Sequence, residues 1–328
     1  MVSLTPLQYR ADAAADLSHV EEALREAAKT DDDFLTEVAS HLIPAGGKRL
    51  RPAFLIASAL SLDPAGNKSE RLTEEMVRGG VAVELVHLGS LYHDDVMDEA
   101  ETRRGIEAVN HRWGNLTAIL AGDFLLAKAS ELAASLGTEV AELLAATIGR
   151  LCEGQVRELQ LIYDITRNEE QYLQAISGKT AELYATSCRI GGIVGGAERD
   201  VIDQLTEFGH AYGMAFQVVD DILDLVATDE ELGKPSGNDL REGVYTLPVI
   251  RMIASGDPVK ELLGGPLDEK TRDLARGAVV NGTEIASSIA TAQSFVDRAL
   301  SKVEDLPATP GVQGMRDAAA NLLSALNR

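Results

Sequence analysis

Two aspartate triplets hold the side chains best able to do chemistry. Asp94, Asp95 and Asp98 fall at i, i+1 and i+4, and Asp220, Asp221 and Asp224 repeat that spacing. On a helix each residue turns about 100°, so each triplet projects within an arc of about 100°. Grouped carboxylates repel, by roughly 1 kcal/mol per pair at 4 Å in water and more near a protein surface. A chain tolerates that where the group faces bulk water or where a cation fills the gap. One such triplet in an acidic chain is a weak signal. Two are harder to read as accident, because Val86-His87-Leu88-Gly89-Ser90-Leu91 and Phe216-Gln217-Val218-Val219, which precede them, are mostly apolar or small. Oxygen-only ligands suit a hard cation such as Mg²⁺, which keeps several waters and shares itself with phosphate. Basic residues follow each triplet, Arg103 and Arg104 after the first and Lys234 after the second. A guanidinium forks onto phosphate oxygens, so these read as further partners of a bound phosphate.

Both triplets need helices to carry them. Glu74 to Met97 reads as one long helix bearing the first, with His87 two turns before Asp94 and about 20° off its face. A lone histidine there is equally a hydrogen-bonded core residue. Gln217, three residues before Asp220, comes within reach of the same cavity. Gly46-Gly47-Lys48-Arg49-Leu50-Arg51-Pro52 places three cations just after a tight backbone path, and Pro52 suits the first turn of a following helix. Lys48 and Arg51 could meet an anion at that helix start, although a basic surface turn would look the same. Ser177-Gly178-Lys179-Thr180-Ala181 puts a lysine among small residues inside a helical stretch, Glu169 to Cys188, where it could also snorkel to the surface. Gly233 to Gly243 is glycine- and proline-rich and long enough for a mobile lid, with Lys234 and Asp239 as polar tips.

Further helices are expected over Asp16–Lys29, with Ser18-x-x-Glu21 as a capping box, and over Ala53–Leu60, Thr117–Ser135 and Glu139–Ile162. The C-terminal part reads as helices over Leu247–Ile253, Glu269–Val280, Ile285–Val303 and Gly311–Asn327. Asp31-Asp32-Asp33 reads as a solvated helix start. Gly122-Asp123, Gly154 and Gly191-Gly192 read as places where helices approach closely. Gly191 to Gly196 is no dinucleotide fingerprint, because no strand precedes it and the spacing is wrong. With aromatics at 4% and hydrophobics at 45%, the composition favours packed helices over a sheet. No short-period repeat or low-complexity linker divides the chain, so one all-α domain over residues 1–328 is expected.

The net charge of −22 argues against nucleic-acid binding, since no broad basic surface can form. Cys152 and Cys188, without metal-ligand partners nearby, read as reduced, packed thiols of a reducing compartment. No leader and no membrane-spanning apolar run is visible, so a cytoplasmic protein without stable membrane insertion is expected.

In these motifs the sequence resembles the trans-isoprenyl diphosphate synthases, the polyprenyl synthetases, from about Gly46 to Pro248 and more faintly beyond. Leu91 to Gly105 is similar to that family's first aspartate-rich motif with its arginine pair, Phe216 to Asp224 to its second, and Gly46 to Pro52 to its GGKRLRP motif. The resemblance implies a single-domain isoprenoid-synthase helical bundle around a central cavity, acting as a homodimer. It implies Asp94, Asp95, Asp98, Asp220, Asp221 and Asp224 as ligands of Mg²⁺, three ions once diphosphate is bound. Isopentenyl diphosphate would be held by Lys48, Arg51, His87 and Arg104. The allylic diphosphate would be held by Arg103, Lys179 and Lys234, with the Thr180 and Gln217 oxygens toward the allylic cation. Arg103 and Arg104 can serve two anions because adjacent residues diverge.

One departure concerns the segment similar to the family's GKPxGxDLxEG stretch. Many relatives carry a lysine after that Glu-Gly, where this chain has Val244, so one phosphate contact is missing or another cation supplies it. Chain length depends on what lies one turn deeper than Asp94. Those residues are Gly89 and Ser90, too small to block a growing chain, where short-chain relatives carry an aromatic. A long product, about six to ten isoprene units by resemblance, is expected. Two rivals share features. A class I terpene cyclase would replace the second triplet and has no use for the Gly46–Pro52 site. A non-catalytic or partner-dependent subunit of a two-component synthase tends to lose aspartates, and here only Val244 favours it.

Overall fold

The computed structural model describes residues 7, 9, 12–62, 72–232 and 236–326. It is built almost wholly of helices, in the order α1 (Ala13–Ala27), α2 (Asp33–Ser40), α3 (Leu50–Ala59), α4 (Glu74–Met97), a hairpin of β1 (Thr102–Arg103) and β2 (Ile106–Glu107), α5 (Val109–Trp113), α6 (Asn115–Ser135) and α7 (Thr138–Leu159). There follow α8 (Glu169–Ile176), a π-helical turn (Ser177–Ala181), α9 (Glu182–Val194), α10 (Arg199–Val226), α11 (Asp229–Leu232), α12 (Asn238–Glu242), α13 (Leu247–Ala254), α14 (Glu269–Asn281), α15 (Glu284–Lys302) and α16 (Pro310–Ala320). Short 3₁₀ turns lie at Pro258–Leu262 and Leu322–Leu326.

The starts of these helices follow from local chemistry. Asp32 accepts the backbone N–H of Leu35, Thr73 that of Met76, and Asp268 that of Thr271, each filling an otherwise orphaned donor. Asn168 and Gln171 make a reciprocal capping box at α8. The box expected at Ser18 does not form. The first helix begins earlier, at Ala13, so Ser18 lies inside it and donates to the Ala14 carbonyl instead.

Every residue from Gly79 to Val86 is buried, so α4 is sheathed on all sides and runs through the middle of the bundle. It packs most extensively on α6, and α10 packs on α9 and α15. Phe54, Tyr184, Phe208, Tyr212 and Phe216 form one aromatic cluster between α3, α9 and α10, with Phe54 and Tyr212 centroids 4.4 Å apart. Small residues let the backbones touch. A Cβ on Gly191 would fall 2.1 Å from the Leu55 carbonyl oxygen, so α9 can lie on α3 only with glycine there. Cys188 is buried as expected, whereas Cys152 is exposed on α7, which corrects the expectation of two packed thiols. Among the described residues, no helix is long and apolar enough to cross a membrane.

Candidate active site

The two long helices α4 and α10 present their aspartates to one cavity of about 700 Å³. Its wall includes Asp94 and Asp98 from α4, Gln217, Asp220 and Asp221 from α10, Glu158 from α7, Lys179 from the π turn, and Arg103 from the hairpin. Arg167, Tyr172, Asp239 and Val244 line it as well. Both triplets are thus brought together, but not whole. Asp95 does not share the wall with Asp94. Its side chain is fully buried, and its Oδ1 accepts both Nε (2.6 Å) and Nη2 (2.5 Å) of Arg103. Asp224 also lies behind the wall and accepts the backbone N–H of Asp239, which fastens α12 to α10. The expected arc of about 100° holds for position on the helix, yet burial sorts its members. Among the described residues, no three carboxylate, imidazole or thiol groups converge closely enough to hold a metal ion by themselves.

Charge is poorly compensated on the α4 side. Burial is the main cause pushing the Asp94 carboxyl up to about 6, and Lys179 pulls it back only in part. Burial raises Asp95 as well, opposed by Arg103, and its Oδ2 has no hydrogen-bond partner among the described residues. Asp221 is raised by burial too, although Tyr172 Oη donates to its Oδ2 (2.6 Å) and Gln217 Nε2 to its Oδ1 (2.8 Å). Thr180 Oγ1 in turn donates to Gln217 Oε1 (2.7 Å). A single chain of hydrogen bonds, Thr180 to Gln217 to Asp221, therefore sets which atom of each group faces which neighbour.

Lys179 and Thr180 sit on the π turn, an irregularity often found at functional sites. Helix α7 leans on that turn so closely that a Cβ on Gly154 would lie 2.4 Å from the Lys179 amide nitrogen. Lys179 Nζ donates to Glu158 Oε1 (2.5 Å). Burial works against the ammonium, but Glu158, Asp94 and Asp98 outweigh it and hold the pKa above its ordinary value. Lys179 is thus a committed cation on an acidic wall.

A second group of cations gathers at the start of α3. Arg104 Nη1 donates to the Gly46 carbonyl, and Arg104 Nη2 lies 3.4 Å from His87 Nε2. The guanidinium of Arg51 stacks over Tyr184 at 4.7 Å, and its Nε has no hydrogen-bond partner among the described residues. Lys48 is lowered by burial and raised in part by Asp220, so it faces the triplet side. His87 is held well below its ordinary pKa by burial and by Arg51 and Arg104, so it is a neutral imidazole. Arg51, His87 and Arg104 therefore do come together, whereas Lys48 has its charged neighbour in Asp220. Arg49 does not join them. It donates to Glu21 (2.7 Å), Glu84 (2.7 Å) and the Ile43 carbonyl (3.0 Å), tying α1 and α4 to the loop that carries Lys48.

The hairpin explains why Arg103 and Arg104 part. Arg103 lies in β1, while Arg104 (φ +54°) and Gly105 (φ +78°) form the two-residue turn. Arg103 turns to Asp95 and Arg104 to the α3 group. Gly47 is needed here, since a Cβ would lie 3.0 Å from Arg104 Nη1.

The two chain-length positions behave differently. Ser90 is partly buried and donates to the His87 carbonyl (2.8 Å). Gly89 does not open onto empty space as expected. A Cβ there would meet Gly122 O and Leu126 Cγ, each at 3.1 Å, so this glycine is a contact between α4 and α6. Lys234 lies outside the described residues. Reading the sequence missed Glu158, Arg167 and Tyr172. Glu158 looks like any acid on an acidic helix, and only its fixed distance from Lys179 and Thr180 along the chain could have suggested it.

Comparison with known proteins gives the chain its relatives. The polyprenyl synthetase family matches residues 32–277. The chain is 38% identical to nonaprenyl diphosphate synthase of Mycobacterium tuberculosis over 82% of this chain and 79% of that protein. It is 38% identical to heptaprenyl diphosphate synthase component 2 of Geobacillus stearothermophilus over 93% and 94%. Among solved structures, polyprenyl synthase from Caulobacter crescentus, complexed with calcium and isoprenyl diphosphate, superposes with a TM-score of 0.90 at 31% identity, covering 98% of each chain. Geranylgeranyl diphosphate synthases match as well.

Proposed function

The chain belongs to the polyprenyl synthetase family and is a prenyltransferase, and from that premise we propose that it condenses isopentenyl diphosphate with an allylic diphosphate into a long-chain all-trans polyprenyl diphosphate. The observation that carries this reading is the pairing of one acidic cavity with two separate cationic groups, one within it and one at the start of α3. A cyclase would need only the first.

The all-oxygen wall and its raised, undercompensated carboxyls fit a hard divalent cation. Asp94, Asp98, Asp220 and Asp221 would hold Mg²⁺, three ions once diphosphate is bound, with Asp95 and Asp224 fixing the helix ends behind them. The calcium in the Caulobacter complex supports a divalent ion in this family. Since no three side chains among the described residues suffice alone, diphosphate oxygens would complete the coordination. Bound there, Mg²⁺ would neutralise the diphosphate and stabilise charge on its leaving oxygen.

Arg103, Lys179 and Lys234 would bind the allylic diphosphate, whose C–O bond breaks with both electrons going to oxygen. Thr180 and Gln217 would face the allylic cation. Because Thr180 spends its proton on Gln217, its own oxygen lone pairs remain for that charge. Lys48, Arg51, His87 and Arg104 would hold isopentenyl diphosphate, whose double bond attacks the allylic carbon. Loss of a proton from the new cation, to the departed diphosphate, completes one elongation.

Two further readings follow. The small side chain of Ser90, one turn before the first triplet, supports a long product, and the nonaprenyl and heptaprenyl names of relatives support it too. The apolar face of α6, where Leu116 is 80% and Leu120 66% exposed, supports a homodimer. We read the chain as one domain, working in the cytoplasm. Asp94→Ala and Asp220→Ala should each lower turnover at least 100-fold with the fold intact by circular dichroism. Turnover near wild type in either variant would remove this cavity from the reaction.

A further inference from the structure

We propose that Arg167 is a substrate-binding residue of this cavity, the guanidinium that meets the diphosphate of the allylic substrate on the wall where Val244 stands. The inference rests on the prenyltransferase reading above. Arg167 is only 4% exposed, yet it lines the cavity. None of Nε, Nη1 and Nη2 has a hydrogen-bond partner among the described residues. A guanidinium carries five N–H donors, and burying a charge without acceptors is strongly unfavourable. No ion pair to a carboxylate relieves it among the described residues. Asp95 is committed to Arg103, Glu158 to Lys179, and Asp221 to Tyr172 and Gln217. The guanidinium instead lies over the Tyr172 ring at 5.7 Å. An anion with several oxygens satisfies such a fork, and diphosphate is that anion here.

The backbone holds Arg167 against the segment that carries Val244. Tyr163 adopts a positive φ of +60°, and its N–H donates to the Gly243 carbonyl (2.9 Å). Gly243 (φ +77°) leaves room for the Tyr163 ring, since a Cβ would lie 2.3 Å from Tyr163 Cδ1. Arg167 N–H closes the turn on Asp164 O (3.1 Å). Residues 163–167 are thus latched to 241–244, and Arg167 and Val244 both line the cavity. Val244 offers that wall no donor, and Arg167 supplies one from the adjoining loop.

The test is Arg167→Met, which keeps most of the volume and removes the charge. Inorganic pyrophosphate with Mg²⁺ should bind at least 10-fold more weakly to the variant by calorimetry. The KM for farnesyl diphosphate should rise by a similar factor while the KM for isopentenyl diphosphate stays within 2-fold. Arg167→Lys should recover part of the loss, and Val244→Lys placed in the Met variant should recover part as well. Unchanged pyrophosphate affinity in Arg167→Met would overturn the proposal. So would a drop in kcat with neither KM moved, which would make Arg167 a positioning residue for Tyr172. If the wild type makes no product, the reaction reading fails, and the pyrophosphate titration still decides Arg167. If Arg167→Met does not fold, Arg167→Lys and its titration decide in its place.

Discussion

Gly154→Ala adds one methyl group against the backbone of the π turn, and it should nearly silence the enzyme. The new Cβ would lie 2.4 Å from the Lys179 amide nitrogen, and 2.9 Å from both the Ala175 carbonyl oxygen and the Gly178 carbonyl carbon. All three are backbone atoms, so no side chain can swing aside. Ordinary contact begins near 3.4 Å, so α7 and the π turn must separate by about 1 Å. Overpacking of this kind costs about 1–3 kcal/mol, a fall of several degrees in Tm for a chain of this size. The larger effect is on position, because the turn bears Lys179 and Thr180. A misplacement of about 1 Å in a catalytic array can cost about 10²-fold in rate. The assay is kcat for incorporation of labelled isopentenyl diphosphate, with Tm measured in parallel. Gly149→Ala is the control on the same helix. It has nothing within 4 Å of its Cβ, so it should leave kcat unchanged and raise stability by about 0.5–1 kcal/mol. If Gly154→Ala keeps kcat within 3-fold of wild type, the π turn does not position the site as argued.

Three other outcomes follow from the same geometry. Asp94 and Asp221 titrate higher in the folded chain than when unfolded, so the folded chain holds the extra protons and metal-free protein should lose stability as pH rises from the ordinary carboxylate range to about 6 for Asp94 and about 7 for Asp221, with a slope of at most roughly 1.4 kcal/mol per pH for each carboxyl; Asp94→Asn or added Mg²⁺ with pyrophosphate should flatten that decline in a Tm–pH series. Ser90→Phe should shorten the dominant product, read by chromatography of the dephosphorylated chains, whereas Gly89→Phe should also lower Tm because it presses on Leu126 and the α6 backbone. Arg49→Met should cost about 3–5 kcal/mol by chemical denaturation, because it strands the buried Glu84, and it should raise the KM for isopentenyl diphosphate through the loop bearing Lys48.

What can be read from the sequence is set by short-range geometry. The bounds of α4 and the placing of both triplets on long helices follow from spacing and apolar context within a few turns. The grouping of Lys48, Arg51, His87 and Arg104 rests on resemblance, and the structure sets Arg51 and Arg104 beside His87 and Lys48 beside Asp220. Three-dimensional packing decides the rest. Asp94 and Asp95 are adjacent and alike, and only the hairpin that delivers Arg103 makes one a wall residue and the other a buried partner. The π turn has no mark in Ser-Gly-Lys-Thr-Ala that separates it from ordinary helix. Gly89 reads as an opening because a small residue on one helix says nothing of the facing helix, and Leu126 fills that space. Arg167 follows the end of α7 in a polar loop, and its burial depends on Tyr163 meeting Gly243, residues far apart in the chain.

The most direct measurement is the product itself. The purified chain would be incubated with Mg²⁺, labelled isopentenyl diphosphate and either farnesyl or geranylgeranyl diphosphate, and the dephosphorylated products separated by length. A ladder ending at one long all-trans chain is the predicted result. A cyclic hydrocarbon formed without isopentenyl diphosphate, or no product from either primer, would contradict it.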